Sequence, residues 1–225
     1  SGPLPLGLQV ADIAGGSLHA VIGILAAVVQ RQTSGRGQLV DIGMTDCAFT
    51  LNAMAGAAAL AGGVDAQPET TLLNGGSFYD YYRTADDRYL AVGSLEPQFM
   101  QALAQAIGQT QIAGLGLAQD AATQAQLKQT LRDALSRKTL AEWQTVFADV
   151  DACVEPVLSL SEAALQPHAQ ARNWVVQVPV PGGSSQAQTA CPLKFSAADL
   201  QYRNTGGPVG EHTQQVLAEL ADVTR

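Results

Sequence analysis

Charge is scarce in this sequence. Only 14% of its 225 residues are Asp, Glu, Lys or Arg, and the 20 acids outnumber the 12 Lys and Arg, for a net charge of −8. So few basic residues leave no stripe that could follow a phosphate backbone, which argues against nucleic acid as a partner. The same balance gives no long-range pull on an anionic cofactor, so any phosphate site has to be local. Cysteine is scarce too. Cys47, Cys153 and Cys191 are odd in number and far apart, with no CxxC. They read as reduced thiols in a cytoplasm-like compartment and not as a disulfide framework. The three histidines, His19, His168 and His212, are equally scattered, and no metal site is expected. Long apolar runs are missing as well: the stretch from Leu18 to Val29 is interrupted by His19 and Gly23, so no membrane span is expected. Neither a basic n-region nor an initiator Met is seen, and the opening Ser-Gly-Pro-Leu-Pro-Leu reads as part of a longer product.

Hydrophobic residues, by contrast, make up 47% of the chain, enough to bury a core in one large domain or two small ones. Residues 3–11, with two prolines, read as an extended approach. Apolar residues recur at helical spacing from Asp12 to about Gln32 and stop at Thr-Ser-Gly-Arg-Gly. Residues 38–42 suggest a short strand and 45–60 one alanine-rich helix. Two runs, 78–83 and 89–93, suggest a hairpin across a Thr-Ala-Asp-Asp-Arg turn. Helices are expected over 97–107, from Pro97, and over 123–137 and 139–148, the last with Thr139 and Glu142 as a capping box. A strand at 153–158, a helix at 161–171, strand and loop over 174–205 and a last helix over 211–220 complete the pattern.

Two carboxylates stand out. Asp12, in Val-Ala-Asp-Ile-Ala-Gly-Gly-Ser, sits where a helix N-cap belongs, and small neighbours leave room for a ligand beside it. A buried carboxyl there could exchange a proton near neutral pH. Glu96 precedes the helix-opening Pro97; it either complements that helix end or orients a histidine. The aromatic stretch Phe78, Tyr79, Tyr81, Tyr82 alternates, so two rings face a core and two face elsewhere. His19 lies two helical turns beyond Asp12, about 11 Å away, too far for a direct bond.

The string Gln9-Val-Ala-Asp-Ile-Ala-Gly-Gly, followed by Gly23-Ile-Leu-Ala-Ala, Gly35-Arg-Gly-Gln-Leu-Val-Asp and Gly210-Glu-His-Thr, resembles the family III CoA-transferases and their racemase relatives. Leu73-Asn-Gly-Gly-Ser-Phe-Tyr-Asp-Tyr-Tyr-Arg-Thr-Ala-Asp, Ala91-Val-Gly-Ser-Leu-Glu-Pro-Gln-Phe, Lys138-Thr-Leu-Ala-Glu-Trp and Asp151-Ala-Cys-Val-Glu-Pro-Val-Leu resemble the α-methylacyl-CoA racemases within that family.

The resemblance implies an α/β fold, with part of a Rossmann-like large domain and a smaller α+β domain, interlocked as a homodimer at full length. Residues 1–44 would belong to the large domain, 45–77 to a linker helix and loop, 78–172 to the small domain, and 173–225 to a return segment and last helix. It implies inversion of the α-carbon of 2-methylacyl-CoA thioesters by proton transfer through an enolate, with no cofactor beyond the coenzyme A of the substrate. Asp12 would be catalytic, Glu96 would pair with the catalytic histidine, and Gly15, Gly16, Tyr79 and Tyr82 would bind substrate. That histidine belongs to an upstream region absent from this sequence, so the chain alone is expected to be inactive. A CoA-transferase of the same family, and a non-catalytic folding or dimerisation fragment, are the alternative readings.

Overall fold

A nine-residue π-helix, Val10–Leu18, runs directly into α1, His19–Ser34. Two side chains mark its wide turn. The Ser17 hydroxyl donates to the Asp12 carbonyl at 3.0 Å, and His19 Nδ1 lies 2.7 Å from the Ala14 carbonyl oxygen; both span five residues. The computed structural model describes residues 7–223, so the extended approach expected at 3–11 lies partly outside the described residues. Within them, Val10 and Ala11 are already helical. The helix therefore starts earlier than Asp12. Gln9 takes the cap position without a side-chain bond, and Asp12 sits inside the first turn. α1 closes on Gly35, whose left-handed φ of +67° lets its N–H reach the Arg31 carbonyl.

The joined helix Val10–Ser34 is 25 residues long, and its most apolar window has a mean hydropathy of 1.8. By length and composition it could cross a membrane, which corrects the expectation that His19 and Gly23 break the run. His19 folds back onto its own helix, and Gly23 faces Ile42 and Val40 at side-chain contact. Neither interrupts the hydrogen-bond ladder. A core helix whose cover lies elsewhere passes the same test.

No strand forms at residues 38–42. A strand needs a ladder partner, and none pairs with this segment among the described residues. The expected single helix at 45–60 is two: α2, Met44–Thr50, and α3, Ala53–Gly62. At the break, Thr50 Oγ1 donates to the Asp46 carbonyl and Asn52 Nδ2 to the Ala48 carbonyl, at 2.9 and 3.1 Å. Such bonds compete with the helical ladder. α2 packs on the π-helix at buried Gly15, where a β-carbon would lie 3.5 Å from Met44 O and Ala48 N.

The core of the first unit, residues 1–157, sits around a three-stranded antiparallel sheet. β1 (Asp80–Arg83) pairs with β2 (Tyr89–Val92), which pairs with β3 (Val154–Pro156). Tyr82 stands opposite Leu90, and Leu90 opposite Pro156. α4 (Pro97–Ala106), α5 (Ala121–Leu135) and α6 (Leu140–Phe147) supply the rest of the core through Met100, Leu103, Leu127, Leu131, Leu135 and Trp143, all nearly inaccessible. Burying one such side chain is worth about 1.5–3 kcal/mol. Pro97 opens α4 at its first turn, and the Thr139–Glu142 capping box opens α6 as its spacing predicts.

The second unit, residues 158–225, holds α7 (Leu160–Ala164), α8 (Pro167–Ala171), the hairpin β4 (Val175–Pro179) with β5 (Ser185–Thr189), and α9 (Thr213–Val223). The helix expected at 161–171 splits because Pro167 can open a helix but not continue one. The chain is mixed α/β, and every strand pair among the described residues is antiparallel.

Candidate active site

A cavity of about 820 Å³ lies in the first unit. The strand alternation builds it. Phe78 and Tyr82, at 0% and 1% exposure, point into the core, whereas Tyr79 and Tyr81, at 39% and 66%, line the cavity. Ala91 and Val92 of β2 and Gly93 just after it continue the wall, as do Cys153 just before β3, Glu155 in it, and Lys128 and Arg132 of α5. Leu73, Asn74 and Gly75 close it with a loop. Glu69 and Asp80 also line it, so charged groups share the wall with the tyrosines and aliphatic residues, and its size suits a small-molecule site.

That loop is wired through its own backbone. Asn74 Oδ1 accepts from the Thr71 N–H and Asn74 Nδ2 donates to the Gln67 carbonyl, each at 2.7 Å. Ser77 donates to the Leu72 carbonyl at 2.7 Å and accepts from the Tyr79 N–H at 3.1 Å. Gly75 has a φ of +94°, and a β-carbon on Gly76 would lie 2.6 Å from Thr71 O and from Thr70 C. Only glycine fits this path.

Cys153 stands at the sheet side of the cavity with a φ of +50°, a left-handed conformation uncommon outside glycine. Desolvation, reinforced by the negative charges of Asp151, Glu96 and Glu155, pushes its thiol above the usual cysteine range. The thiol is thus held protonated and is a poor nucleophile near neutral pH. Glu96 follows three residues after Gly93, whose N–H donates to the Cys153 carbonyl at 2.8 Å. Glu96 is exposed at the cap position before α4 and makes no side-chain capping bond, so its carboxylate is available to a partner.

The expected site residues divide. Tyr79 lines the cavity; Glu96 does not, and stands three residues beyond the lining residue Gly93. Tyr82 does not line it. Its ring is core, and its hydroxyl is spent on the Phe78 carbonyl at 2.6 Å, which corrects the expectation of substrate contact. Tyr81 takes its place, as the period-2 pattern through Tyr79 already requires. Asp12 is exposed on the π-helix and is not part of the cavity lining; its carboxylate makes no hydrogen bond among the described residues. A π-turn at such a residue is typical of functional positions. Gly15 and Gly16 lie within that helix and not at an open helix mouth, and Gly15 serves the close approach of α2. His19 is turned to its own backbone, and His168 packs edge-on against Trp174 at 5.4 Å. Gln124 and Lys128 are polar residues on the buried face of α5; that break in its apolar stripe is the sequence signal that marks them.

Residues 1–213 match CoA-transferase family III, and the chain belongs to that family. Among its relatives, Alpha-methylacyl-CoA racemase of Mus musculus is 33% identical over 216 residues, which cover 96% of this chain and 55% of that protein. Succinate–glutarate CoA-transferase of Agrobacterium fabrum is 29% identical, over 99% of this chain and 56% of that protein. A CAIB/BAIF family protein from Brucella suis has the same fold, with a TM-score of 0.75 at 22% identity, over 98% of this chain and 57% of that one. The chain therefore spans a little over half the length of the relatives it matches.

Proposed function

We propose that this chain is the C-terminal part of an acyl-CoA racemase that inverts the α-carbon of 2-methylacyl-CoA thioesters. The observation that carries the reading is a convergence. Three of the four racemase-like stretches, 73–86, 91–99 and 151–158, contribute walls to a single tyrosine-lined cavity, although the last lies about 50 residues beyond the second. Leu73, Tyr79, Tyr81, Ala91 and Val92 give that cavity an apolar side against which an acyl chain would pack.

In this reading Asp12 and a histidine from the upstream part of the protein face opposite sides of the α-carbon. One removes the proton, giving an enolate, and the other returns a proton to the other face. Glu96 accepts a hydrogen bond from the histidine and holds its orientation. The enolate charge needs donors placed where it develops. Tyr79 and Tyr81 pack against the acyl chain. Proton transfer changes no oxidation state, so the reading calls for no cofactor beyond coenzyme A. Residues 78–172 serve as the small domain, with 1–44 and 173–225 as parts of the large one, in a cytoplasmic homodimer. The Agrobacterium relative keeps a second reading open: CoA transfer between carboxylic acids.

The test is α-proton exchange in deuterated water by the full-length protein. Exchange into a 2-methylacyl-CoA from both faces is expected, with Asp12→Asn losing one face. Unchanged exchange in the variant removes Asp12 from the chemistry, and CoA exchange between free acids without racemisation favours the transferase.

A further inference from the structure

Helix α5 carries Gln124, Lys128 and Arg132 at intervals of four residues, which stacks them along one face. Lys128 is the unusual member. Its side chain is only 14% exposed; its ammonium donates to the Gly75 carbonyl at 2.7 Å and pairs with Asp80 at 2.9 Å. One cation thus joins α5, the start of β1 and the glycine loop. The Asn74 and Ser77 bonds are internal to the segment 67–79; the Phe78 N–H bond to Gln124 ties the end of that segment to α5, and the Lys128 bond ties its glycine turn there. α5 needs no ammonium to stay on the sheet, since Leu127 and Leu131 are already fully buried there. A partly buried charge is costly unless well paired, so its placement calls for a further role.

We propose that Lys128 is a positioning residue for the acyl cavity: it holds the Gly75 carbonyl and so fixes where the loop 69–77 stands across from Tyr79 and Tyr81. Asp80 neutralises the ammonium, which keeps the wall free of a bare charge. The inference rests on the acyl-CoA racemase reading for its substrate, but the tie itself is independent of it. Without Lys128 the loop loses its tie from the Gly75 carbonyl to α5, and Asp80 is left without its cation at the cavity wall.

The experiment uses the full-length protein as wild type, Lys128→Met, Lys128→Arg and the double variant Lys128→Met with Asp80→Asn. Two readouts are taken: racemisation of 2-methyldecanoyl-CoA, and backbone hydrogen exchange across residues 69–77. In Lys128→Met, KM rises about tenfold while kcat stays within about threefold. Exchange in 69–77 quickens about tenfold while α5 and β1 keep their protection. Lys128→Arg, which can still reach both acceptors, recovers most of KM. The double variant recovers only the part due to the bare carboxylate and leaves the loop exchange fast. Unchanged KM and unchanged loop exchange in Lys128→Met overturn the proposal. So does a fall in kcat alone, which would mean contact with the reacting atoms, and so does loss of protection throughout α5 and β1, which would make Lys128 a general support. A wild type without racemase activity removes the racemase reading instead, and the loop exchange still decides the tie.

Discussion

Tyr82 donates its hydroxyl to the carbonyl of Phe78, four residues earlier, at 2.6 Å, and both rings are sealed in the core. Burial, reinforced by the negative charge of Asp80, drives the phenol far above the usual tyrosine range, so the donor stays protonated. Tyr82→Phe keeps the ring and strands the Phe78 carbonyl. A loss of about 1–3 kcal/mol in urea unfolding is expected, and a change under about 0.5 kcal/mol would mean that the bond contributes little.

Tyr79 and Tyr81 stand on the opposite face of the same strand segment. On the racemase reading, Tyr79→Ala in the full-length protein lowers kcat/KM for a long-chain 2-methylacyl-CoA by about tenfold or more, as loss of apolar pocket contact does. The effect shrinks for a short acyl chain. Equal loss for both chain lengths would place Tyr79 outside the acyl site.

Gly76→Ala introduces a β-carbon into backbone atoms that cannot yield. Destabilisation of about 1–3 kcal/mol is expected from such overpacking, with faster proteolysis at the loop. Gly56, around which a β-carbon meets nothing, is the control: Gly56→Ala should be neutral or slightly stabilising. Equal effects at both positions would refute the steric reading of the loop.

Three carboxyls of the first unit are held below their usual range. The Thr84 hydroxyl and then the Leu140 N–H hold Asp86 below its usual value; the Thr123 N–H does so for Asp120, and the Thr139 N–H for Glu142. Their folded values lie below the unfolded ones. Their contribution is thus present above the ordinary carboxylate range and lost as pH falls through the folded values. Melting temperature should hold steady from pH 7 to about 5 and then fall. Glu142→Gln should flatten part of that fall, and an unchanged acid limb in the variant would exclude its cap as a source.

Hydrogen exchange should be uneven along the chain. In the helices of 10–62 only Gly15 is buried among the described residues, whereas the sheet and α4–α6 hold the core. In this chain alone the first segment should exchange well before Leu90 or Leu131. Equal protection in both would show that those helices gain cover from association.

The elements of the sheet domain were legible because local signals agree with the tertiary outcome. Pro97 opens α4, Thr139 and Glu142 cap α6, and the hairpin turn falls between Arg83 and Tyr89. Where the sequence misled, a nonlocal fact decided. Leu39 and Val40 have strand-like neighbours but no partner strand. Thr50 and Asn52 take carbonyls from a helix that alanine alone would extend. The alternation through Phe78–Tyr82 was legible, but grouping Tyr79 with Tyr82 joined two residues that a period of two puts on opposite faces. Gln124 and Lys128 show in sequence only as a polar break in the stripe of α5; what they hold was not legible, because their partners, Phe78 and Gly75, are about 50 residues away.

Gln124 uses both amide hydrogens and its oxygen on backbone: it donates to the Gly116 and Ala118 carbonyls at 3.0 and 2.9 Å and accepts from the Phe78 N–H at 3.0 Å. One side chain therefore gauges the length of the connection entering α5. Insertions or deletions between Gly108 and Gly114 leave that gauge untouched, while a single-residue change between Gly116 and Asp120 shifts a carbonyl out of reach and releases the strand that carries the tyrosines. Natural and engineered length variation in this region has to fall on the near side of Gly116.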